Sequence, residues 1–489
     1  MTVRTLLLCG VGVSLACKSP SGSDKEPPVD TGEGEGEGEG EGEGEGEGEG
    51  ETTTWAQPDF VPPPEATDID PDDGVVHIQL TSSDVAFNIT DWQTREVIEV
   101  AGSAYNGGHP SPTIRAKVGD LLRVELDNQL DTPTTIHWHG LAVPFEMDGV
   151  PWMMDPIQAG ETFTYEFTLE KAGTFFYHPH FDTQAQVDRG LYGALVVEDP
   201  GDPVVDQDVV MVLDDWREDQ EMEADASHVH GAHGSEGRWT VNGLSRPHWE
   251  LTAGERVRLR FVNTSNQGYV QLSGGDERLT VIARDQGLLP EPEEVRTELL
   301  APGDRAEILW TPGSDMPVPE LLDLPYSLHG GEALGSTRTV LDVSVLGTDI
   351  AAPLDDWPSS PRAPSEDPGY VDLHYTFQGS AHTDDWMING ERFPDITIAQ
   401  LDYGEEVVLQ VANLSASEHP FHLHGLHMEL LSRDGVPPAQ YSDVDTLNLG
   451  IYETVRLRTI ADNVGAWMTH CHILPHADRG MMTVIEVVE

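Results

Sequence analysis

Short runs of alternating apolar and polar residues occupy most of the chain from about residue 70 onward. Runs such as ETFTYEFTL (161–169) and ETVRLRTI (453–460) have a period of two and are rich in Val, Ile, Thr and Tyr. That period is typical of β-strands with one buried face, and Gly and Pro separate the runs. The pattern predicts an all-β protein built of Greek-key β-sandwiches rather than parallel α/β units.

One longer pattern occurs three times. Each copy has an Asn-Gly turn, a short strand, a Gly followed by an acid, and an alternating strand that ends in Asn. The Asn-Gly pairs begin at 106, 242 and 389, so the spacings are 242 − 106 = 136 and 389 − 242 = 147 residues. This repeat predicts three consecutive domains. The predicted boundaries are 68–200, 201–350 and 369–489, with a Pro-rich linker at 351–368.

The first 67 residues carry different signals. One arginine, an apolar run from Leu6 to Ala16 and small residues before Cys17 predict an export signal over 1–17. Its SLAC ending resembles a bacterial lipoprotein box, in which Cys17 would carry a lipid and tether the protein to a membrane; ordinary cleavage nearby is the alternative. Gly and Glu alternate from Gly32 to Glu51, so 18–67 is predicted to be a disordered linker. We therefore expect an exported protein, periplasmic or at the cell surface.

The charge balance is strongly acidic and restricts the partners. Of 489 residues, 26 are Lys or Arg and 87 are Asp or Glu, giving a formal net charge of −61. Such a field repels nucleic acid and anionic membrane surfaces, whereas metal ions and aromatic amines are allowed; solvation alone is the other explanation. Of the three cysteines, Cys9 and Cys17 lie in the leader, so Cys471 has no ordinary disulfide partner in a mature chain.

Histidines occur in His-x-His pairs far more often than chance predicts. Twenty histidines would give about 0.8 such pairs by chance, and the chain has five. Residues two apart in a strand share a face, so each pair presents two imidazoles side by side. Two pairs follow the first repeat and two follow the third, which predicts one polynuclear metal site between these two domains. The eight histidines are His137, His139, His178, His180, His422, His424, His470 and His472.

A second group of donors surrounds the lone cysteine. Two imidazoles, a thiolate and a more distant thioether are the ligands of a blue-copper electron-transfer centre. The chain supplies them as His419, His476, Cys471 and Met481. A buried free thiol is the alternative for Cys471. Because neighbours in a strand face opposite sides, we expect Cys471 to point to one metal while His470 and His472 point to the cluster.

These motifs resemble the multicopper oxidases, the family of laccases, ascorbate oxidase, bilirubin oxidases and bacterial copper-efflux oxidases. The resemblance extends from about residue 70 to the end and implies three cupredoxin-like domains, the second without copper ligands. It also implies four copper ions: electrons from a reductant enter at a type 1 copper, and dioxygen is reduced to water at a trinuclear cluster. The resemblance implies that the type 1 copper is bound by His419, Cys471 and His476, with Met481 as the axial ligand. It implies that His137 and His422 bind the type 2 copper. The implied ligands of the type 3 pair are His139, His178, His180, His424, His470 and His472.

Two acidic positions bear on proton supply. By the same resemblance, Asp148 in EMDGVPW is the acid beside the type 2 copper and the oxygen entry; a solvated loop aspartate is the alternative. Many bacterial relatives place a Glu directly after the last type 1 histidine. Here Ala477 occupies that position and Asp478 follows. We therefore expect proton supply to differ from that of the relatives.

The motifs leave the reductant open. Copper-efflux oxidases carry Met-rich segments and an Asp and a Met ahead of the third-domain cluster, whereas this chain has 12 Met and places Ser415 and Ser417 there. This favours a laccase-like oxidase of phenols or aromatic amines over a metallo-oxidase of Cu(I), Fe(II) or Mn(II). A non-enzymatic cupredoxin scaffold or copper store is a third hypothesis, which the presence of all twelve ligands disfavours.

A fifth histidine group and the oligomeric state complete the predictions. His228, His230 and His233 lie in SHVHGAHG, which either recruits copper or is an exposed loop with incidental histidines. Copper nitrite reductases share the domain type, but the three-domain order and the four His-x-His pairs fit oxidases better. Three covalently joined domains already form the interdomain site, so a monomer suffices.

Overall fold

The computed structural model describes residues 57–90, 96–216, 238–313, 320–327, 336–350, 357, 362–380, 383 and 385–489. The predicted export signal, the Gly-Glu segment and His228, His230 and His233 lie outside these residues, as does much of the predicted linker at 351–368. Within them, no helix is both long and apolar enough to cross a membrane.

In the described part of the chain the strands form six sheets, two for each copy of the repeat, which confirms the predicted all-β class. The first sandwich packs a sheet of order β2-β1-β4-β6 against one of order β3-β8-β7-β5. Its strands are β1 (Val75–Thr90), β2 (Val97–Tyr105), β3 (Ile114–Lys117), β4 (Leu121–Asn128), β5 (His137–His139), β6 (Thr162–Thr168), β7 (Gly173–His178) and β8 (Gly193–Glu198). A 3-10 turn (Phe145–Met147) and helix α1 (Thr183–Asp188) lie between strands.

The second sandwich has sheets of order β10-β9-β12-β17-β14-β15 and β11-β19-β18-β13-β16. Its first strands are β9 (Gln207–Trp216), β10 (Arg238–Val241), β11 (His248–Thr252), β12 (Val257–Asn263), β13 (Val270–Ser273) and β14 (Leu279–Arg284). The others are β15 (Gly287–Val295), β16 (Thr297–Leu300), β17 (Arg305–Trp310), β18 (Glu320–Leu324) and β19 (Arg338–Leu346).

The third sandwich has sheets of order β21-β20-β23-β28-β25-β26 and β22-β30-β29-β24-β27. Its first strands are β20 (Leu373–Ser380), β21 (Asp385–Ile388), β22 (Ala399–Asp402), β23 (Glu406–Asn413), β24 (His419–Leu423) and β25 (Met428–Arg433). The others are β26 (Asp443–Val444), β27 (Thr446–Leu449), β28 (Thr454–Ile460), β29 (Gly465–Cys471) and β30 (Met482–Val488), with helix α2 (Leu474–Asp478) before the last.

The sequence repeat has a structural counterpart in the Asn that ends each copy. The side-chain amides of Asn128, Asn263 and Asn413 are fully buried, and each donates to backbone carbonyls of two loops. These bonds satisfy carbonyls that would otherwise be buried without a partner. In each sandwich this amide therefore links two separate segments of chain at the point where the alternating strand ends. The exact domain boundaries stay a prediction.

Each sandwich has its own apolar core between its two sheets. A fourth apolar cluster takes residues from all three, including Phe176 of β7, Val262 of β12 and Leu474 of α2. Because burial of apolar surface is the main favourable term in folding, this shared cluster fixes the first and third sandwiches against the second. The histidine-bearing strands of the first and third sandwiches lie beside it.

Candidate metal centre

Strand pairing places the His-x-His pairs in register. In the first sandwich β5 runs antiparallel to β7, so His137 lies opposite His178. In the third, β24 runs antiparallel to β29, so His422 lies opposite His470. Within each sandwich, the two His-x-His pairs therefore lie on neighbouring, hydrogen-bonded strands or directly after them.

The two sandwiches then bring all eight histidines into one cluster. His137 of the first stacks on His424 of the third with ring centroids 3.9 Å apart, and His139 stacks on His422 at the same distance. His180 reaches His470 with centroids 5.4 Å apart, and the His472 ring lies 4.8 Å from that of His139. The structure therefore brings the eight histidines together between the first and third sandwiches.

The donor atoms of this cluster fit metal ions. The Nε2 atoms of His424 and His470 lie 3.1 Å apart and face each other. Six more of these histidines have at least one buried ring nitrogen without a hydrogen-bond partner among the described residues. Since buried polar atoms are almost always paired, such a convergence of unpaired nitrogens indicates metal ligands. The nitrogens are His137 Nε2, His139 Nδ1, His178 Nε2, His180 Nε2, His422 Nε2 and both of His472.

The other ring nitrogens fix the orientation of the imidazoles. Nδ1 of His137, His178 and His422 donates to a backbone carbonyl at 2.9 Å, which leaves Nε2 for the cluster. His139 is reversed: its Nε2 donates to Thr446 Oγ1 at 3.0 Å, so Nδ1 faces the cluster. A metal-binding histidine commonly has its second nitrogen held in this way.

The electrostatics of the cluster keep the imidazoles neutral. Burial, together with the neighbouring imidazoles, lowers the pKa of His422, His424 and His472 well below the usual value. Burial also lowers the pKa of His470 to about 4. Because only a neutral imidazole has a free lone pair for a metal, the cluster is ready to bind metal at neutral pH.

A second, smaller group forms around Cys471 and brings His419 and His476 to its sulfur. Its Sγ lies 3.5 Å from Nδ1 of His419 and 3.6 Å from Nδ1 of His476, and those nitrogens are 3.3 Å apart. All three side chains are buried, and burial raises the pKa of the thiol. Met481 is buried in the same core, and its carbonyl accepts from the Cys471 N–H at 3.1 Å. Metal binding would therefore have to displace the thiol proton.

Strand geometry joins the two groups. Cys471 faces His419 and His476, whereas its neighbours His470 and His472 face the histidine cluster. His470 Nδ1 also donates to the Cys471 carbonyl at 2.9 Å. The expected alternation is thus confirmed, and one peptide bond separates the two candidate metal sites.

Asp148 is not a solvated loop residue. Its side chain is fully buried, and Oδ2 accepts from His424 Nδ1 at 2.9 Å. Oδ1 lies 3.3 Å from His137 Nδ1. One carboxylate therefore contacts histidines from both sandwiches.

Asp478, which follows Ala477, also lies near the cluster. Ala477 and Asp478 line a cavity of about 160 Å³ that also reaches His180 and His470. Burial raises the pKa of Asp478 to about 6, and the Gln184 N–H donates to its carboxylate at 3.3 Å. An acid is therefore present in this cavity, one residue after Ala477.

One residue that binds the ring nitrogens facing away from the cluster, Asp445, was not predicted from the sequence. Asp445 is buried, with Oδ1 3.2 Å from His139 Nε2 and its backbone carbonyl accepting from His422 Nδ1. Burial alone would raise the pKa of Asp445, but the adjacent Arg305 guanidinium outweighs it and the pKa is lowered. The available signal was the alternation of Asp445 with Leu447 and Leu449, which predicts that all three side chains face the same buried side of the strand.

Comparison with known proteins agrees with this geometry. Residues 88–202, 207–317 and 365–489 each match a domain of the multicopper oxidase family. Multicopper oxidase mco of Staphylococcus haemolyticus is 30% identical over 410 residues, which cover 78% of this chain and 83% of that protein.

Solved structures are similar over nearly the whole described body. A Campylobacter jejuni multicopper oxidase described as a metallo-oxidase is 25% identical, with a TM-score of 0.74 over 89% of this chain and 96% of that one. A laccase from Pediococcus acidilactici is 26% identical, with a TM-score of 0.75 over 89% of this chain and 94% of that one. The chain therefore belongs to the multicopper oxidases, a family of copper-binding oxidoreductases.

Proposed function

We propose that the protein is a laccase-like oxidase that couples oxidation of phenols or aromatic amines to reduction of dioxygen to water. One observation carries the proposal: the Cys471 group and the eight-histidine cluster are both assembled from buried donors and are joined within β29. Four one-electron oxidations balance one reduction, because dioxygen needs four electrons and four protons to give two waters.

The proposed copper assignment follows the two groups. His419, Cys471 and His476 would hold a type 1 ion, with Met481 as a further ligand. His137 and His422 would hold the type 2 ion, and the other six histidines the type 3 pair, giving four coppers. Bound copper would supply one-electron chemistry at Cys471 and four-electron reduction of dioxygen at the cluster.

Residues of the protein would carry electrons from the Cys471 group to the histidine cluster and protons to the cluster. The covalent path from Cys471 to His470, shortened by the hydrogen bond from His470 Nδ1 to the Cys471 carbonyl, joins the two sites. Asp148, in contact with His137 and His424, would orient both rings and hold a proton beside the cluster. The cavity beside Asp478 also reaches His180 and His470, so it offers water a route to the buried cluster.

We also propose that the protein acts as an exported monomer, periplasmic or at the cell surface. The support is the leader sequence, in which lipidation of Cys17 would add a membrane tether.

A metallo-oxidase is the second candidate, and one cavity favours it. A cavity of about 380 Å³ between the second and third sandwiches is lined by five carboxylates and three arginines: Asp285, Glu298, Asp304, Glu418 and Glu453 against Arg284, Arg305 and Arg433. Glu418 precedes His419 in the chain and accepts from the Tyr326 hydroxyl at 2.9 Å. An excess of carboxylates beside a type 1 ligand favours cationic reductants, including metal ions.

Oxygen consumption by the copper-loaded protein tests both candidates. The reductants would be 2,6-dimethoxyphenol, bilirubin, Cu(I), Fe(II) and Mn(II), each at matched concentration. Turnover chiefly with the phenol supports the laccase-like function, and turnover confined to metal ions supports the second candidate. No oxygen consumption with any of them contradicts both.

Glu418→Gln shows whether the acidic cavity takes metal ions. If it does, the KM for metal ions should rise by about tenfold while that for the phenol stays unchanged. Glu250→Gln is the matched control, because Glu250 is exposed and does not line the cavity. Equal effects of the two substitutions would show that only the overall charge matters.

A further inference from the structure

The middle sandwich holds none of the proposed copper ligands, yet one of its arginines reaches the histidine cluster. Arg305 begins β17 and is 1% exposed. Both of its terminal nitrogens bind the Asp445 carboxylate, with Nη1 2.6 Å from Oδ1. A fork of this kind fixes a carboxylate in orientation as well as in position.

The remaining donors of Arg305 are also used. Its Nε donates at 3.0 Å to the carbonyl of Thr174, on the strand that carries His178, and Nη1 donates at 3.1 Å to the Gly303 carbonyl. One side chain of the second sandwich therefore contacts a histidine-bearing strand of the first and the acid behind the cluster in the third.

Asp445 passes this constraint on to the imidazoles. Its Oδ1 lies 3.2 Å from His139 Nε2, and Thr446, which donates to the same oxygen at 3.0 Å, accepts from His139 Nε2. The Asp445 backbone carbonyl holds His422 Nδ1 at 2.9 Å. The rings of His139 and His422 are stacked and nearly parallel, at 10°. The position of Asp445 thus decides which nitrogen of each ring faces the cluster.

Gln286 of the second sandwich and Gly140 of the first also contact Asp445 or Arg305. Gln286 Nε2 donates to Asp445 Oδ2 and to the carbonyl of Gly140, the residue after His139. At Gly140 a Cβ would lie 2.6 Å from Arg305 Nη2, so the backbone approaches the guanidinium as closely as only glycine permits. A series of contacts therefore leads from Arg305 through Asp445 to His139 and His422.

We propose that Arg305 is a positioning residue for the trinuclear centre: through Asp445, the second sandwich sets the orientation of His139 and His422. This inference rests on the proposed function, because it takes these histidines to be copper ligands. Its physical basis is that partners behind a metal ligand fix its ring and tautomer, and that their loss typically costs about 10- to 100-fold in metal affinity or activity.

The test compares copper-loaded Arg305→Met, Arg305→Lys and Asp445→Asn with wild type. We expect Arg305→Met to keep the blue type 1 absorbance per protein, lose copper from the cluster and alter or lose the type 2 signal in electron paramagnetic resonance. Oxygen turnover should fall by about tenfold or more, whereas anaerobic reduction of the type 1 copper should be unchanged. Arg305→Lys keeps the charge but not the fork, so it should restore the signal only in part.

Arg258→Met is the matched control. Arg258 is also a buried arginine of the second sandwich, but it pairs with Glu307 and Asp202 rather than with Asp445. If Arg305→Met and Arg258→Met lose the blue band and the type 2 signal in parallel, Arg305 only stabilises the fold and the inference is overturned. A type 2 signal and copper content at wild-type level in Arg305→Met would overturn it as well.

Wild type separates this inference from the proposed function. If wild type holds copper in both sites yet oxidises none of the reductants, the laccase-like function is wrong. The type 2 signal of the variants still decides the role of Arg305 in that case, because it is read without turnover.

Discussion

Replacement of Cys471 by Ser separates the proposed electron entry from the fold. The substitution removes the one thiolate from a site whose other donors, His419 and His476, stay in place. The blue absorbance should disappear, since it requires a copper–thiolate bond. Bound copper should fall from about four to about three per protein, because all eight cluster imidazoles remain. Oxidation of the reductant should fall to background.

The fold of the metal-free variant should survive. The Cys471 side chain is fully buried, and a serine hydroxyl there would have two imidazole nitrogens nearby, where the sulfur now lies 3.5 and 3.6 Å from them. A buried hydroxyl with a partner avoids most of the desolvation penalty, so the free energy of unfolding should change by about 1 kcal/mol. The copper-loaded proteins should differ by more, because wild type gains about 2.7 kcal/mol from a metal present at one hundred times its dissociation constant.

Absorbance, copper analysis and urea unfolding with and without copper measure these effects. Retention of the blue band with full activity in Cys471→Ser would refute the assignment of the thiolate. Unfolding of the metal-free variant would refute the argument from packing, because it would show that the cysteine is needed by the core rather than by a metal.

Three further expectations concern the histidine cluster. Asp148→Asn should lower oxygen turnover by about 10- to 100-fold and leave the blue band intact, and wild-type turnover would show that the carboxylate is dispensable. Gly303→Ala should reduce the copper content of the cluster, because the new Cβ would lie 2.8 Å from the His472 ring. Gly347→Ala is the control: its φ is similarly positive, but the space around it is open, so the copper content should not change. Equal copper contents in the two variants would contradict this expectation. Metal-free protein should lose about 2 kcal/mol of stability between pH 7 and pH 5 through His470 alone. The imidazole has a pKa of about 4 when folded and 6.5 when unfolded, so the unfolded state takes up the proton first as pH falls; urea unfolding that is flat over this range would contradict the argument.

Much of the fold could be predicted from local sequence. The alternation of apolar residues and the Asn-Gly turns correctly indicated the strands, and the three turns have the positive φ angles at Asn106, Asn242 and Asn389 that the dipeptide favours. The site residues could be predicted for a similar reason. The side-chain direction along a strand is a local property, so the His-x-His pairs and the opposed face of Cys471 followed from spacing.

The sequence by itself therefore determined the fold class, the three-fold repeat and the two sets of donor residues. Only the tertiary structure decided which residues stand behind those donors. Arg305 reaches Asp445 across 140 residues of chain, and Asp148 reaches His424 across 276. No local pattern encodes such pairs, because they depend on how two sandwiches pack against a third. The orientation of the His139 and His424 imidazoles, which bond to residues of another sandwich, was decided at that level.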